Sequence, residues 1–279
     1  MQTLINRVST ILGIQIKSCK EIYKNSVATI YNCDNNFLVK TSIKSNLLLS
    51  EAKMLSYLHE NSNLKVPKFY YSDESLLVTE YIVNNGRCNS FCQKQIAKDI
   101  ASLHMVRQKE FGFDFDTTIG PFIQPNNKKS SWIEFYKEMR VEAFAKQALD
   151  EGSLPQNLYE RLLNLSSNLN KYLIEPKEAS LIHGDIWSGN VLTYNNRLAA
   201  FIDPAIYFAS NEVELAFIAM FHTFDESFFE EYNGYIKIED GFFEERLKLY
   251  QIYPILVHIR AFGGTYLSEL KNILDYFGY

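Results

Sequence analysis

The sequence predicts an α+β protein of two lobes, a small β-rich N-terminal lobe and a larger, mainly helical C-terminal lobe. Three observations carry the prediction. The first third alternates short β-branched and aromatic runs with turn signals around one helical stretch. After Asn84-Asn85-Gly86-Arg87 long helical patterns dominate. Between residues 180 and 205, short apolar runs return, and each delivers a polar residue able to bind a metal. The boundary falls between residues 1–83 and 84–279, and the natural binding site of such a plan is the cleft between the lobes.

The elements follow in order. "SVATIYN" and "NFLVKT" read as strands joined by the turn signal "CDN". "SNLLLSEAKMLSYLHEN" reads as a helix, and "KVPKFYYS" and "SLLVTEYI" as two further strands split by "DE". "SWIEFYKEMRVEAFAKQALDEG" opens on a capping box, Ser131 with Glu134, and ends at Gly152. Pro155 then starts a helix with Leu158, Leu162, Leu165, Leu169 and Leu173 on one stripe. Helices are expected over residues 210–222 and 242–275, and no internal repeat is visible.

Apolar residues make up 47% of the 279 and charged residues 22%, which allows a large core and excludes a disordered chain. No apolar run approaches the roughly 18 residues of a membrane span. The opening residues have no basic stretch followed by an unbroken apolar block, so no secretory leader is expected. A net charge of −5 argues against nucleic acid as a partner. Of the cysteines, Cys88 and Cys92 are four apart, as on one helical face, and no CxxC occurs. The expectation is a cytoplasmic protein with all four cysteines, Cys19 and Cys33 included, reduced.

The chemistry lies in a few carboxylates and a lysine. On the helix that contains it, Glu51 falls within the apolar face formed by Leu48, Ala52, Met54, Leu55 and Leu58. A buried carboxylate needs a cation, and Lys40, in "FLVKT", sits among apolar residues on the preceding strand. Glu51 and Lys40 either pair, or lie at the stripe's edge and in solvent. In "SLIHGDIWSGNVLTYNNRLAAFIDPA", Asp185 precedes Asn190 by five residues and Asp203 by eighteen. An Asp on a loop can take a proton from a hydroxyl, and an Asn and a second Asp on neighbouring strand ends can hold Mg²⁺, which prefers hard oxygens. Phosphoryl transfer needs this division of labour, with a lysine on phosphate oxygens. Each feature alone is an ordinary turn or strand end; the ordered set is not.

"HGDIWSGN" followed by "FIDPAIYFASNEVELA" resembles the fructosamine kinase (ketosamine 3-kinase) family, within the aminoglycoside phosphotransferase and choline kinase group of the protein-kinase-like fold. Trp187, Pro204 and "AIYF" carry the subfamily likeness. So do "TTIGPFIQPNNKKSSWIEFYKEMR", "FDESFFEEYNGYIKIEDGFFEERLKLYQIY" and "HIRAFGGTYL". The resemblance implies an ATP- and Mg²⁺-dependent kinase that phosphorylates the sugar 3-hydroxyl of a small-molecule or protein-bound ketosamine, in deglycation repair. It implies Lys40 on the α- and β-phosphates with Glu51 orienting it, Asp185 as the catalytic Asp, and Asn190 and Asp203 on Mg²⁺. Glu80, Tyr81 and Ile82 would meet adenine. His183 would brace the loop. Trp187, His258 and Tyr266 would face the acceptor. The alternatives are a kinase of an aminoglycoside, choline or other amino alcohol, and a nucleotide-binding pseudokinase.

Two departures stand out. Family members usually carry glycines in the loop between the first two strands, where this chain reads "YKNSVATIY"; Ser26 and neighbouring amides would have to meet phosphate from a stiffer loop. Glu214 stands where an Asp is usual.

Overall fold

A computed structural model describes residues 1–25, 27–42 and 45–279. The expectation for Ser26 lies outside the described residues. The chain opens with helix α1 (Gln2–Leu12), closed by Gly13 in a left-handed conformation (φ 66°). Strands β1 (Cys19–Lys24), β2 (Ala28–Cys33) and β3 (Phe37–Ser42), helix α2 (Ser45–Asn61), then β4 (Phe69–Ser72) and β5 (Leu76–Glu80) complete the N-terminal lobe. Its sheet is antiparallel, in the order β1-β2-β3-β5-β4. Alternation along β5 explains how one strand serves two layers. Leu76 and Val78 pack under α1 with Val8, Ile16 and Val39, while Leu77 turns to Leu48 and Ala52 of α2. The "CDN" turn joins β2 to β3 with Asp34 and Asn35 both left-handed (φ 53° and 58°), a conformation these residue types tolerate.

Two expectations for this lobe are corrected. It holds two helices rather than one: Leu4, Ile5, Val8, Ile11 and Leu12 make the apolar face of α1 against the sheet. The cysteines are not all reduced. Cys19 and Cys33 face each other across β1 and β2, with Cα atoms 4.1 Å apart, and form a disulfide; Cys88 and Cys92 are free. Without β1 assigned, that facing register was invisible, and compartment alone decided the expectation.

An extended segment over residues 81–89 leads out of the sheet. The Asn85 and Gly86 amides donate to the Thr193 carbonyl at 2.9 and 3.2 Å. The second lobe begins with α3 (Ser90–His104), capped by the Asn89 side chain on the Cys92 amide. β6 (Arg107–Gln108) and the hairpin of β7 (Thr117–Ile119) and β8 (Phe122–Gln124) follow. Ser131 caps α4 (Trp132–Phe135) as expected, accepting from the Glu134 amide at 3.2 Å. The Ile133 amide donates to Glu175, which also accepts from the Trp132 amide. The helix widens into a π segment over Tyr136–Glu142 before α5 (Ala143–Asp150). α6 (Gln156–Ser166) stops before the leucine stripe does; a 3₁₀ turn keeps Leu169 buried, and Leu173 is buried beyond it.

Strands β9 (Ala179–Ile182), β10 (Val191–Tyr194), β11 (Arg197–Phe201) and β12 (Tyr207–Ala209) then form two small sheets, β12-β9-β6 and β10-β11. Helices α7 (Asn211–Met220), α8 (Glu226–Asn233), α9 (Leu247–Phe262) and α10 (Thr265–Tyr276) close the chain. The single stretch expected over 242–275 is broken at Gly263 and Gly264, both at positive φ. The lobe's core gathers Trp132, Phe135, Tyr136, Tyr207, Tyr250 and Tyr253, all buried. Met54 and Leu58 of α2 join this core, so the two lobes share apolar packing. Among the described residues no helix is long and apolar enough to cross a membrane.

Candidate active site

Lys40 projects from β3 and is almost fully buried. Its ammonium donates to Glu51 Oε1 at 2.7 Å and to Asp203 Oδ1. The pairing that the sequence left open therefore forms, and it gains a third member from the other lobe. Burial pushes against the Lys40 charge, but the carboxylates of Asp203 and Glu51 outweigh it and hold the ammonium above the usual lysine range. Burial pushes the Glu51 carboxyl up to about 7, against the pull of Lys40.

Asp203 has a left-handed backbone (φ 53°), unusual for a residue other than glycine. Just beyond it, the Ala205 amide donates to the His183 carbonyl at 2.8 Å. That bond ties the segment after β11 to the loop after β9. Gly184 has φ +85° and no room for a side chain: a Cβ there would lie 2.2 Å from the Ala205 oxygen. Asp185 follows. The Asn190 carboxamide donates to Asp185 Oδ2 at 2.8 Å and to its backbone oxygen at 2.9 Å. Burial, reinforced by the neighbouring Asp203 carboxylate, pushes the Asp185 carboxyl up to about 8.

His183 is fully buried, and its Nδ1 accepts from the Asp185 amide at 3.3 Å. Burial holds its imidazole below the usual histidine range, so it is neutral and can accept. Glu214 anchors the loop from α7, taking the Gly184 amide at 2.6 Å and the His183 amide at 3.2 Å. His104 Nε2 lies 2.8 Å from Glu214 Oε2, and its Nδ1 lies 2.7 Å from the Tyr232 hydroxyl. A carboxylate can only accept, so Nε2 donates to Glu214. Nothing in the sequence points to His104 and Tyr232, on α3 and α8; the visible signal is Glu214, one of two carboxylates on an α7 that is otherwise mostly apolar.

Two connected cavities fill the cleft. The inner one, about 220 Å³, is lined by Ile22, Ile30, Leu38, Leu55, Leu192 and the segment Thr79–Ile82. The Glu80 and Tyr81 amides are engaged by the Lys68 and Asn36 carbonyls at 2.8 and 2.9 Å. The outer cavity, about 450 Å³, holds Asp185, Trp187, Asn190, Thr118, Gly120 and Pro121 on one side and Tyr23, Asn25 and Val27 on the other. Lys40, Glu51 and Asp203 border both. The Trp187 indole lies over Gly189, where a Cβ would come within 2.3 Å of the ring; the residue is 42% exposed and lines the cavity. The glycine-free turn is fixed by Asn25, whose Oδ1 accepts from the Val27 and Ala28 amides at 2.8 Å each.

His258 and Tyr266 are not brought to this cavity. The His258 ring turns back on α9, with Nδ1 2.7 Å from the Pro254 carbonyl, and packs between Tyr266 and Phe221. Neither residue lines the inner or the outer cavity.

Among the described residues no cluster of three His, Cys, Asp or Glu could hold a metal. Asn190 and Asp203 supply one carboxamide oxygen and one carboxylate. That donor set fits Mg²⁺, which binds through one or two carboxylates plus phosphate and water.

A lysine paired to a helix carboxylate, facing an aspartate loop across two lobes, defines a kinase-like phosphotransferase. A Thermobifida fusca protein solved as a candidate fructosamine-3-kinase superposes with a TM-score of 0.89 at 25% identity, over 99% of this chain and 98% of that one. An ADP-bound aminoglycoside phosphotransferase, APH(2'')-Ib, shares the fold (TM-score 0.68, 13% identity, 98% and 96% covered). The Arabidopsis thaliana chloroplastic protein-ribulosamine 3-kinase is 32% identical over 90% of this chain and 78% of its own length. A Vibrio cholerae protein named as a probable ketoamine kinase is 30% identical over 86% of this chain and 84% of its own. The fructosamine kinase family model matches residues 2–277. The chain belongs to the fructosamine kinase family, and it is an ATP-dependent phosphotransferase.

Proposed function

We propose that this chain moves the γ-phosphoryl group of ATP to the sugar 3-hydroxyl of a ketosamine, a ribulosamine, erythrulosamine or fructosamine adduct of an amine. The observation that carries the reading is the bonding of Lys40 to both Glu51 and Asp203, with Asp185 facing the same cavity. Adenine enters the inner cavity beside Glu80, Tyr81 and Ile82. With the Glu80 and Tyr81 amides already engaged, the Ile82 amide, which meets no acceptor among the described residues, is the donor left for the base. The Lys40 ammonium takes phosphate oxygens. Asn190 Oδ1 and Asp203 would hold Mg²⁺, which when bound supplies positive charge for the phosphates. With positive charge held there, the Asp185 carboxyl would be ionised and able to accept a proton. Asp185 accepts the proton of the attacking hydroxyl as the new O–P bond forms; the bond to the β-phosphate oxygen breaks, and ADP leaves. The Trp187 ring forms an apolar wall for the sugar and a face for the cationic amine.

The test is an acceptor screen with purified protein, ATP and Mg²⁺. It offers ribulosamine, erythrulosamine and fructosamine adducts of N-acetyl-lysine beside choline and an aminoglycoside, with mass-spectrometric detection of product. Turnover on the ketosamines with a single added phosphate is expected. Turnover confined to choline or the aminoglycoside overturns the substrate class.

A further inference from the structure

The β7–β8 hairpin belongs by sequence to the second lobe but reaches the first. Its base is rooted among buried polar groups. Gln124 Nε2 donates to Thr117 Oγ1 at 2.7 Å and to the Ala205 carbonyl at 3.1 Å, while Gln124 Oε1 accepts from the Tyr253 hydroxyl. Asn126 Nδ2 donates to Thr117 Oγ1 at 2.8 Å, and Asn126 Oδ1 accepts from Arg140 at 2.6 Å. Arg140 is itself fully buried against Phe135, Tyr207 and Tyr253. Buried polar networks bonded at this many points resist displacement, although the Arg140 Nε finds no partner among the described residues. At its far side the hairpin packs on α2, where Thr118 Oγ1 donates to Ser50 Oγ at 3.2 Å, one residue from Glu51. Its tip, Gly120-Pro121, lines the outer cavity opposite Asn25.

Ala205 is two residues past Asp203, and its oxygen is the atom against which Gly184 is fitted. The hairpin therefore touches the support of Asp203 and Asp185 at one end and the support of Glu51 and Lys40 at the other. We propose that it is a strut between the lobes, with Gln124 and Thr118 as positioning residues. The strut sets the distance between α2 and the Asp203 segment, and its tip bounds the acceptor end of the cleft. The inference concerns phosphoryl transfer to any acceptor and does not depend on the ketosamine reading.

Thr118→Val removes one bond at the α2 end, Gln124→Met removes the bonds at the Ala205 end, and the double variant removes both. The first readout is hydrogen exchange of the Ala205 amide in the ligand-free, full-length protein. Thr118 makes no hydrogen bond to Ala205, yet a strut predicts faster exchange there in Thr118→Val as well as in Gln124→Met. The second is turnover with ATP and ribulosyl-N-acetyl-lysine, or ATP hydrolysis without acceptor should that adduct not be phosphorylated. Gln124→Met is expected to lower the rate about tenfold, with the KM for ATP near that of the parent. The double variant should be little worse than Gln124→Met, because freeing either end slackens the same element. Wild-type exchange at Ala205 in Thr118→Val overturns the strut, as does strict additivity of the two changes. Should Gln124→Met fail to fold, the exchange result for Thr118→Val decides alone.

Discussion

The loop at residues 183–190 and the described residues of the β1–β2 turn, Asn25, Val27 and Ala28, form opposite walls of one cavity and are held by different means. The first is fixed from α7 by Glu214, from the Asp203 segment through Ala205, and internally by Asn190. It includes a glycine with no space for another atom. The second is closed by a hairpin bond, Asn25 amide to Ala28 carbonyl at 3.0 Å, and by the Asn25 side chain. A group that must meet a reacting hydroxyl tolerates little displacement. A turn that covers phosphate need only present amides to a large, highly charged ligand. The difference predicts steep costs for changes in the first loop and shallow ones in the second.

Asp185→Asn should show the largest effect, lowering turnover by about 10²–10⁴ through loss of the proton acceptor. The same change separates chemistry from stability. In the metal-free protein the folded Asp185 carboxyl stands at about 8, above its unfolded value. The unfolded chain thus releases this proton first as pH rises. Stability linked to the group is present in full below the ordinary carboxylate range and is lost as pH climbs through about 8. The carboxamide of the variant carries no such proton, so melting curves in EDTA should show the variant gaining on the parent across that window. A constant difference in melting temperature from pH 4 to 9 would mean that Asp185 is not held protonated.

The two regions also differ in how far sequence reached them. The catalytic loop was legible because its polar residues interrupt apolar runs at fixed spacing, and Glu51 because a carboxylate stood on an apolar helix face. Their mutual geometry was not, since Lys40–Asp203 closes across 163 residues. The His104–Glu214 support was hidden for the same reason, its members standing 110 positions apart. α1 carries an ordinary amphipathic pattern, which a reading of the N-terminus for a leader passes over. The hairpin "TTIGPFIQ" has strand-formers around Gly-Pro, yet its short strands gain their meaning only from what they touch. The bond of the His258 ring to its own helix was not legible, because it depends on which way the side chain turns on α9.

Gly184→Ala comes next in size. The added methyl meets the Ala205 carbonyl, and φ +85° is strained for any side chain, so a loss on the order of 3 kcal/mol is expected, with turnover falling alongside. Gly86→Ala is the matched control. Its φ of +67° is also left-handed, but nothing lies within 4 Å of the new Cβ. It should cost about 1 kcal/mol and leave turnover unchanged. Chemical denaturation of both, with initial rates, makes the comparison. Equal costs would mean that backbone conformation, not the close approach to Ala205, is what glycine supplies at 184.

The smallest effect is predicted for Asn25→Gly, which probes the lightly held wall. The substitution removes the carboxamide oxygen that now occupies the Val27 and Ala28 amides and installs the residue type family members usually have in this loop. Two amide donors become free, and an oxygen with partial negative charge leaves the phosphate side of the cavity. Both changes favour an anion. The turn itself keeps its hairpin partners, since Tyr23 and Lys24 still pair with Ile30 and Thr29. Stability should therefore move by no more than about 1 kcal/mol. The KM for ATP should fall by a few-fold, about 1 kcal/mol of binding at most, while the KM for the acceptor and kcat stay near the parent. Steady-state kinetics with each substrate varied in turn reads this directly. A rise in the KM for ATP would show that the Asn25 carboxamide itself serves the nucleotide. A collapse of kcat would erase the contrast between the two walls, because the turn would then be as finely placed as the loop that carries Asp185.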